Sequence, residues 1–251
     1  MRKRAVVLGV ALAAAASAVL LVPTVATETS RGDTVVDAVT VNDGRTVLLG
    51  PAERVTFPVV VTASDDSGIA GIDPIGVWGP TYGVLKVSPM SCDARSATTS
   101  VCRGTVTVDP VKKDIFNDEV GTWFVDLKVR AKDGDRYLNQ TAGGFSIKRA
   151  ARMTGSGVPR GAAVGQELAV EGWLARAFYS DNRYHGYADG TAYLQFRPRG
   201  GTLWTTVATA ASDLSGVVRA KTTVTGPGDY QWYSPGDKWT GDAVSPELPV
   251  G

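Results

Sequence analysis

The stretch GTWFVDLKVRAKDGD, from Gly121 to Asp135, constrains the fold more than any other part of the chain. Trp123, Val125, Leu127, Val129 and Ala131 occupy alternate positions, with Asp126, Lys128 and Arg130 between them. Successive side chains of an extended strand point to opposite faces, so one face of this segment belongs in a core and the other in water. Asp133-Gly134 follows, and both residues tolerate the positive φ of a hairpin turn.

The same period recurs along the chain. In RVTFPVVVTASD, Val55, Phe57, Val59, Val61 and Ala63 share a face. Pro58 cannot donate to a ladder, which points to an edge strand or a bulge. Pro110 to Glu119 is the one place where a short helix or a long connection is expected. A second series begins after Lys148–Arg152, with Leu168, Val170, Gly172 and Leu174 on one face and Ala192, Leu194 and Phe196 on another. LWTTVATA, VVRAKTTV and GDYQWYS continue it, the last placing Tyr230 and Trp232 together. Strands at this spacing, punctuated by 29 Gly and 13 Pro spread along the chain, predict an all-β protein of two tandem β-sandwiches. The expected boundaries are a polar lead-in over 27–34, a first domain over 35–148, a linker over 149–152 and a second domain over 153–251.

The N-terminus predicts export. MRKR supplies a positive region, Ala5 to Val22 is uncharged and apolar, Pro23 breaks the run, and Thr24-Val25-Ala26 offers small residues for cleavage. Residues 1–26 therefore read as a signal peptide. A retained anchor is the alternative, because the run is nearly long enough to span a bilayer. No cysteine near the cleavage point serves a lipoprotein anchor, and SPELPVG at the C-terminus holds no sorting motif. The expected location is secreted or extracellular. The only cysteines, Cys92 and Cys102, agree with an oxidising destination and predict one disulfide. Closing so short a loop stabilises by about 2.5–3 kcal/mol on the chain-entropy model.

The residues also resemble a known group. GQELAVEGWL, YHGYADGTAYLQFRPRGGTLWTTV and SDLSG are similar to immunoglobulin-like domains of actinobacterial, streptomycete-like secreted proteins. TASDDSGIAGI, the Cys92–Cys102 pair and GTWFVDLKVRAKDGD resemble another such domain of the same exported proteins. The resemblance implies tandem immunoglobulin-like sandwiches. It implies no assigned activity, although some members carry a calcium-binding label.

Several chemistries are disfavoured. A net charge of +1 and a pI near 7.7 give no global field for nucleic acid or an anionic membrane. One histidine and no CxxC leave zinc short of ligands. His185 is the only candidate general base, no nucleophile elbow surrounds a serine, and no phosphate-binding glycine loop is present. The YHGY stretch reads as scaffold with a half-exposed histidine at a strand end.

Calcium is the candidate cofactor. Asp65, Asp66, Asp133 and Asp135 lie in two acidic turns, and hard oxygen ligands from such turns suit Ca²⁺. If one turn joins strands B and C and the other F and G, both fall at the same end of a sandwich. Asp and Gly are also ordinary turn residues, which is the plainer account. The aromatic candidates are Tyr184, His185, Tyr187, Tyr233 and Trp239, a set that offers a stacking platform for a glycan. Arg31-Gly32-Asp33 matches an adhesive tripeptide, but three residues in a tail are matched by chance. The expected function is a non-catalytic binding or interaction protein with an extracellular protein or glycan partner. The alternatives are a polymer-acting hydrolase and a structural surface spacer with a rigid interdomain joint.

Overall fold

A computed structural model describes residues 28–159 and 161–251, and the expected signal peptide over 1–26 lies outside them. The first domain contains β1 (Glu28–Arg31), β2 (Val35–Val41), β3 (Val47–Leu49), β4 (Val55–Ser64) and β5 (Ile69–Trp78). It continues with β6 (Val84–Leu85), β7 (Ser91–Ala94), β8 (Thr99–Val108), β9 (Gly121–Ala131) and β10 (Arg136–Arg149). One sheet has the order β2-β4-β8-β7, and the other β1-β10-β9-β5-β6 with β3 parallel to β10. Read as A, B, E and D against G, F, C and C′, with β3 as the A′ strand parallel to G and β1 added antiparallel to G, this is the strand order of an immunoglobulin-like sandwich.

The alternation seen in the sequence makes the core. Trp123, Val125, Leu127, Val129 and Ala131 of β9 are buried and pack toward Phe57, Val59, Val61 and Ala63 of β4. Pro58 departs from expectation, because β4 lies inside its sheet, between β2 and β8. Pairing with β2 stops at Val41↔Val59, so at Pro58 one flank of β4 carries no strand and the missing N–H breaks no ladder bond there. The Pro110–Glu119 stretch is a long connection that begins with one 3-10 turn, Pro110–Lys112, capped by the Asp109 carboxylate on Val111 N.

The second domain contains β11 (Ala151–Ser156), β12 (Glu167–Phe178), β13 (Arg183–Gly186), β14 (Thr191–Pro198) and β15 (Thr205–Ala211). It closes with β16 (Val217–Thr223), β17 (Gly228–Ser234), β18 (Ala243–Val244) and β19 (Leu248–Val250). One sheet joins β11, β12, β13 and β16, and the other runs β15-β14-β17 with β18 and β19 on β17. Trp232 is fully buried at the centre of this sandwich. Gly172 makes room for it, since a Cβ there would lie 2.8 Å from the indole and 2.7 Å from the Thr154 carbonyl.

The two domains meet with almost no linker. β10 ends at Arg149 and β11 begins at Ala151, so most of the expected 149–152 linker is already paired strand. Ala150 itself is hydrogen-bonded, donating to Leu49 O and accepting from Ala177 N. Tyr179 is fully buried within the first domain's core cluster, with its hydroxyl on Leu49 O at 3.2 Å. Burial pushes the Tyr179 phenol well above the usual tyrosine range. Lys113 donates to the carbonyls of Tyr179 and Ser180 and to Asn182 Oδ1, at 2.6, 3.1 and 2.9 Å. Asn182 in turn donates to Pro51 O, and Arg149 and Gly241 bond across the opposite flank. The joint is thus bonded on both flanks and filled by a buried tyrosine.

Among the described residues no helix is long and apolar enough to cross a membrane. Cys92 and Cys102 form a disulfide between directly paired residues of β7 and β8.

Candidate functional site

The loops at the far end of the first sandwich collect its acids. The turn between β4 and β5 carries Asp65 and Asp66, and the hairpin between β9 and β10 carries Asp133 and Asp135. These are the B–C and F–G connections, so the four residues singled out from the sequence share one end. A fifth acid joins them. Asp33 follows β1, which pairs antiparallel with β10 from Glu28↔Asn139 to Arg31↔Arg136 and so brings the lead-in alongside the hairpin.

Two overlapping triads result, Asp33–Asp65–Asp66 and Asp65–Asp133–Asp135, each with carboxylate oxygens within 4.8 Å of one another. Oxygens held at about 2.4 Å around one calcium ion lie no more than about 4.8 Å apart, so each triad has the spread that ion needs. The donor set is entirely hard oxygen. Among the described residues none of the five acids makes an ion pair.

Hydrogen bonds fix the arrangement. Asp65 is buried, accepts from the Thr34 hydroxyl at 2.6 Å, and takes the Ser67 amide and hydroxyl at 2.9 and 2.5 Å. Burial alone would raise its pKa, but the Ser67 and Thr34 bonds outweigh burial and hold it below the usual carboxylate range. Asp33 moves the other way, raised by desolvation and by the Asp66 and Asp65 carboxylates. The Asp33 amide donates to Asp135 Oδ2 at 3.2 Å, and the Asp135 amide to Asp133 Oδ1 at 3.0 Å. Gly32 is required for this approach, because its φ is +88° and a Cβ would overlap the Asp135 carboxylate. The Arg31-Gly32-Asp33 tripeptide therefore lies in a paired strand and turn, where the sequence suggested a tail.

The aromatic candidates are dispersed. Tyr184 and His185 are neighbours on β13, so their side chains leave opposite faces. Tyr184 packs on the first domain's core beneath Arg152, whose guanidinium is 3.9 Å from the ring centre. His185 bonds Asp181 at 2.8 Å and sits 4.7 Å from the Phe178 ring, half exposed. The bond from His185 is the main reason that Asp181 titrates below the usual range. Tyr187 donates to Asp237 and lies under Arg176, while Trp239 bonds Asp237 through its amide. Tyr184, Tyr187 and Trp239 line the joint, while the partners of His185 both belong to the second domain. Tyr233 is elsewhere, on the outer face of the β15-β14-β17 sheet, stacked on Tyr193 at 6.3 Å.

No protein-family model matches the chain, and no curated protein matches it. Solved structures do match at low identity. Three N-terminal domains of the highly immunogenic outer capsid protein of bacteriophage RB49 align at 10% identity and a TM-score of 0.34, covering 87% of this chain and 69% of that one. The D00-D0 domain of intimin aligns at 9% and 0.31, covering 85% and 100%. A putative membrane anchored protein from Corynebacterium diphtheriae aligns at 9% and 0.29, covering 81% and 51%. The immunoglobulin-like assignment rests on the strand order described above.

Proposed function

We propose that the chain is an exported, non-catalytic interaction protein that presents the acidic loop end of its first sandwich outward, with calcium stiffening that end. The convergence of Asp33, Asp65, Asp66, Asp133 and Asp135 from three separate segments carries this reading. Strand β9 runs from Gly121, beside Trp239 at the joint, to Ala131 at the acidic turn. Its length sets the two ends about 33 Å apart. Export accords with the Cys92–Cys102 disulfide and with the resemblance to actinobacterial secreted proteins. Bound calcium would supply charge neutralisation and nothing chemical. Asp65 and Asp135 would hold it from two loops, and Asp33 would tie the lead-in to them.

The test is thermal unfolding of the mature, oxidised protein in EDTA and in millimolar calcium. An exposed, all-carboxylate site belongs with extracellular modules that bind at about 10⁻⁴–10⁻³ M. At about ten times Kd the expected gain is about 1.4 kcal/mol, a rise of a few degrees that Asp66→Ala or Asp133→Ala abolishes. An unchanged midpoint removes the metal from the account. The spacer role would then lead, since the bonded joint supports it independently.

A further inference from the structure

A cavity of about 360 Å³ opens on the outward face of the β5–β9 region, lined by Trp78, Tyr82, Val84, Asp126 and Gln140 among others. One wall is an aromatic side chain held in place. The Trp78 indole donates to Gln140 O at 2.6 Å and rests against Phe124 with ring centres 5.1 Å apart. Gly76 stands directly across from Asp126, and a Cβ there would come within 3.0 Å of the Leu85 carbonyl and 3.4 Å of Val84. The space beside Asp126 is therefore open because residue 76 is glycine.

The rim is apolar yet left in water. Tyr82 is 90% exposed and Val84 65% exposed. Thr81 and Tyr82 both take left-handed backbone angles, φ 55° and 62°, an unusual conformation for residues with side chains. From this turn Tyr82 lines the cavity.

One charge lies within these walls. Asp126 is half-buried, and its carboxylate makes no hydrogen bond or ion pair among the described residues. Burial alone raises its pKa. The cations further along the same strand face serve another acid. Arg130 bonds Asp73 at 2.8 and 3.1 Å, and Lys128 acts on that same carboxylate. A partly desolvated carboxylate in a cavity that Trp78 and Tyr82 also line calls for a cation that brings apolar surface.

We propose that this cavity receives a lysine side chain from an extracellular polypeptide, with the ammonium on Asp126 and the methylene stem between Trp78, Val84 and Tyr82. The lysine stem can lie along the Trp78, Val84 and Tyr82 walls while its compact ammonium reaches the carboxylate. The polypeptide is indicated by the two-residue β6, which ends its sheet, has one edge unpaired among the described residues, and offers backbone partners to an extended segment. This inference does not depend on calcium at the distal end.

The experiment is a ¹H–¹⁵N titration of the mature protein, following the Trp78 indole N–H, with Nα-acetyl-lysine-N-methylamide. Its controls are the norleucine and arginine analogues and n-butylammonium. The expected result is saturable binding of the lysine probe at about millimolar Kd, with norleucine about ten-fold weaker. Asp126→Asn should remove that difference and leave norleucine binding unchanged. Tyr82→Ala, at a residue too exposed to affect folding, should weaken every probe. Equal binding of lysine and norleucine, tighter binding of arginine, or no saturable shift would overturn the lysine assignment. Butylammonium binding as tightly as the lysine probe would overturn the polypeptide.

Discussion

The two ends of the first sandwich are built from the same kind of loop and resolve their polar groups in opposite ways. At the joint, Lys113, Asn117 and Tyr179 find hydrogen-bond partners across the domain boundary. At the distal end, five carboxylates crowd together, and the bonds they accept come from Thr34, Ser67 and neighbouring amides, none from a cation. Satisfied loops make a fixed junction, whereas a concentration of like charge creates a demand for a cation from outside. In the proposed function, rigidity therefore lies at one end and cation binding at the other.

The largest expected effect lies at the joint. Tyr179→Ala should cost about 3–5 kcal/mol, the usual cost of emptying a large buried aromatic site. Calorimetry should then show two unfolding transitions where the parent shows one. Tyr179→Phe, which removes only the bond to Leu49 O, should cost about 1 kcal/mol and keep a single transition. If both variants unfold as the parent does, the joint is no stiffer than an ordinary linker.

Reduction of Cys92–Cys102 comes next. It should lower the first domain's stability by about 2.5–3 kcal/mol. Because the bond sits on the β7–β8 edge, calcium binding at the distal end should survive it. Loss of binding on reduction would show that the acidic end depends on that edge.

Smaller effects separate the acids from one another. Asp65 has a folded pKa below its unfolded value, so its contribution is present at neutral pH and lost as pH falls through the folded value. Asp65→Asn should therefore be destabilising at pH 7, with the difference closing as pH falls through the lowered folded value. Asp33 has the opposite sign. Its folded pKa is raised, so whatever stability it lends is present below its unfolded pKa and lost as pH rises through the folded one. Asp33→Asn should leave acid stability near that of the parent and raise it at neutral pH in EDTA. Denaturant midpoints measured across pH in EDTA test both, and like-signed responses would break the assignment.

How much of this was legible follows from the range of each interaction. The alternation in β9 declares its buried face locally, and the hairpin signal at Asp133-Gly134 does the same. Placing Asp65 and Asp133 at one end required only the strand order common to such sandwiches. Asp33 was hidden, because its neighbour Asp135 is reached through pairing of β1 with a strand more than a hundred residues away. Tyr179 was equally hidden, since its partner Leu49 is 130 positions distant and nothing in FYSDN signals burial in another domain. Asp126 was read as a solvent-facing residue of β9. Its place in a cavity depends on the absence of a side chain at Gly76 across the sheet and on Trp78 and Tyr82 as walls, which period-two reasoning does not address. The aromatic candidates mark the same limit, for local sequence showed that rings were present but not that Tyr233 and Trp239 lie on different surfaces.

Hydrogen exchange of the mature protein, in EDTA and in calcium, tests the contrast between the two ends most directly. The account predicts that calcium slows exchange at the amides around Asp33, Ser67 and Asp133–Asp135. Arg149, Ala150, Ala177 and Tyr179 at the joint should exchange slowly and equally in both conditions. Fast exchange at the joint, or no calcium response at the acidic turns, would contradict it.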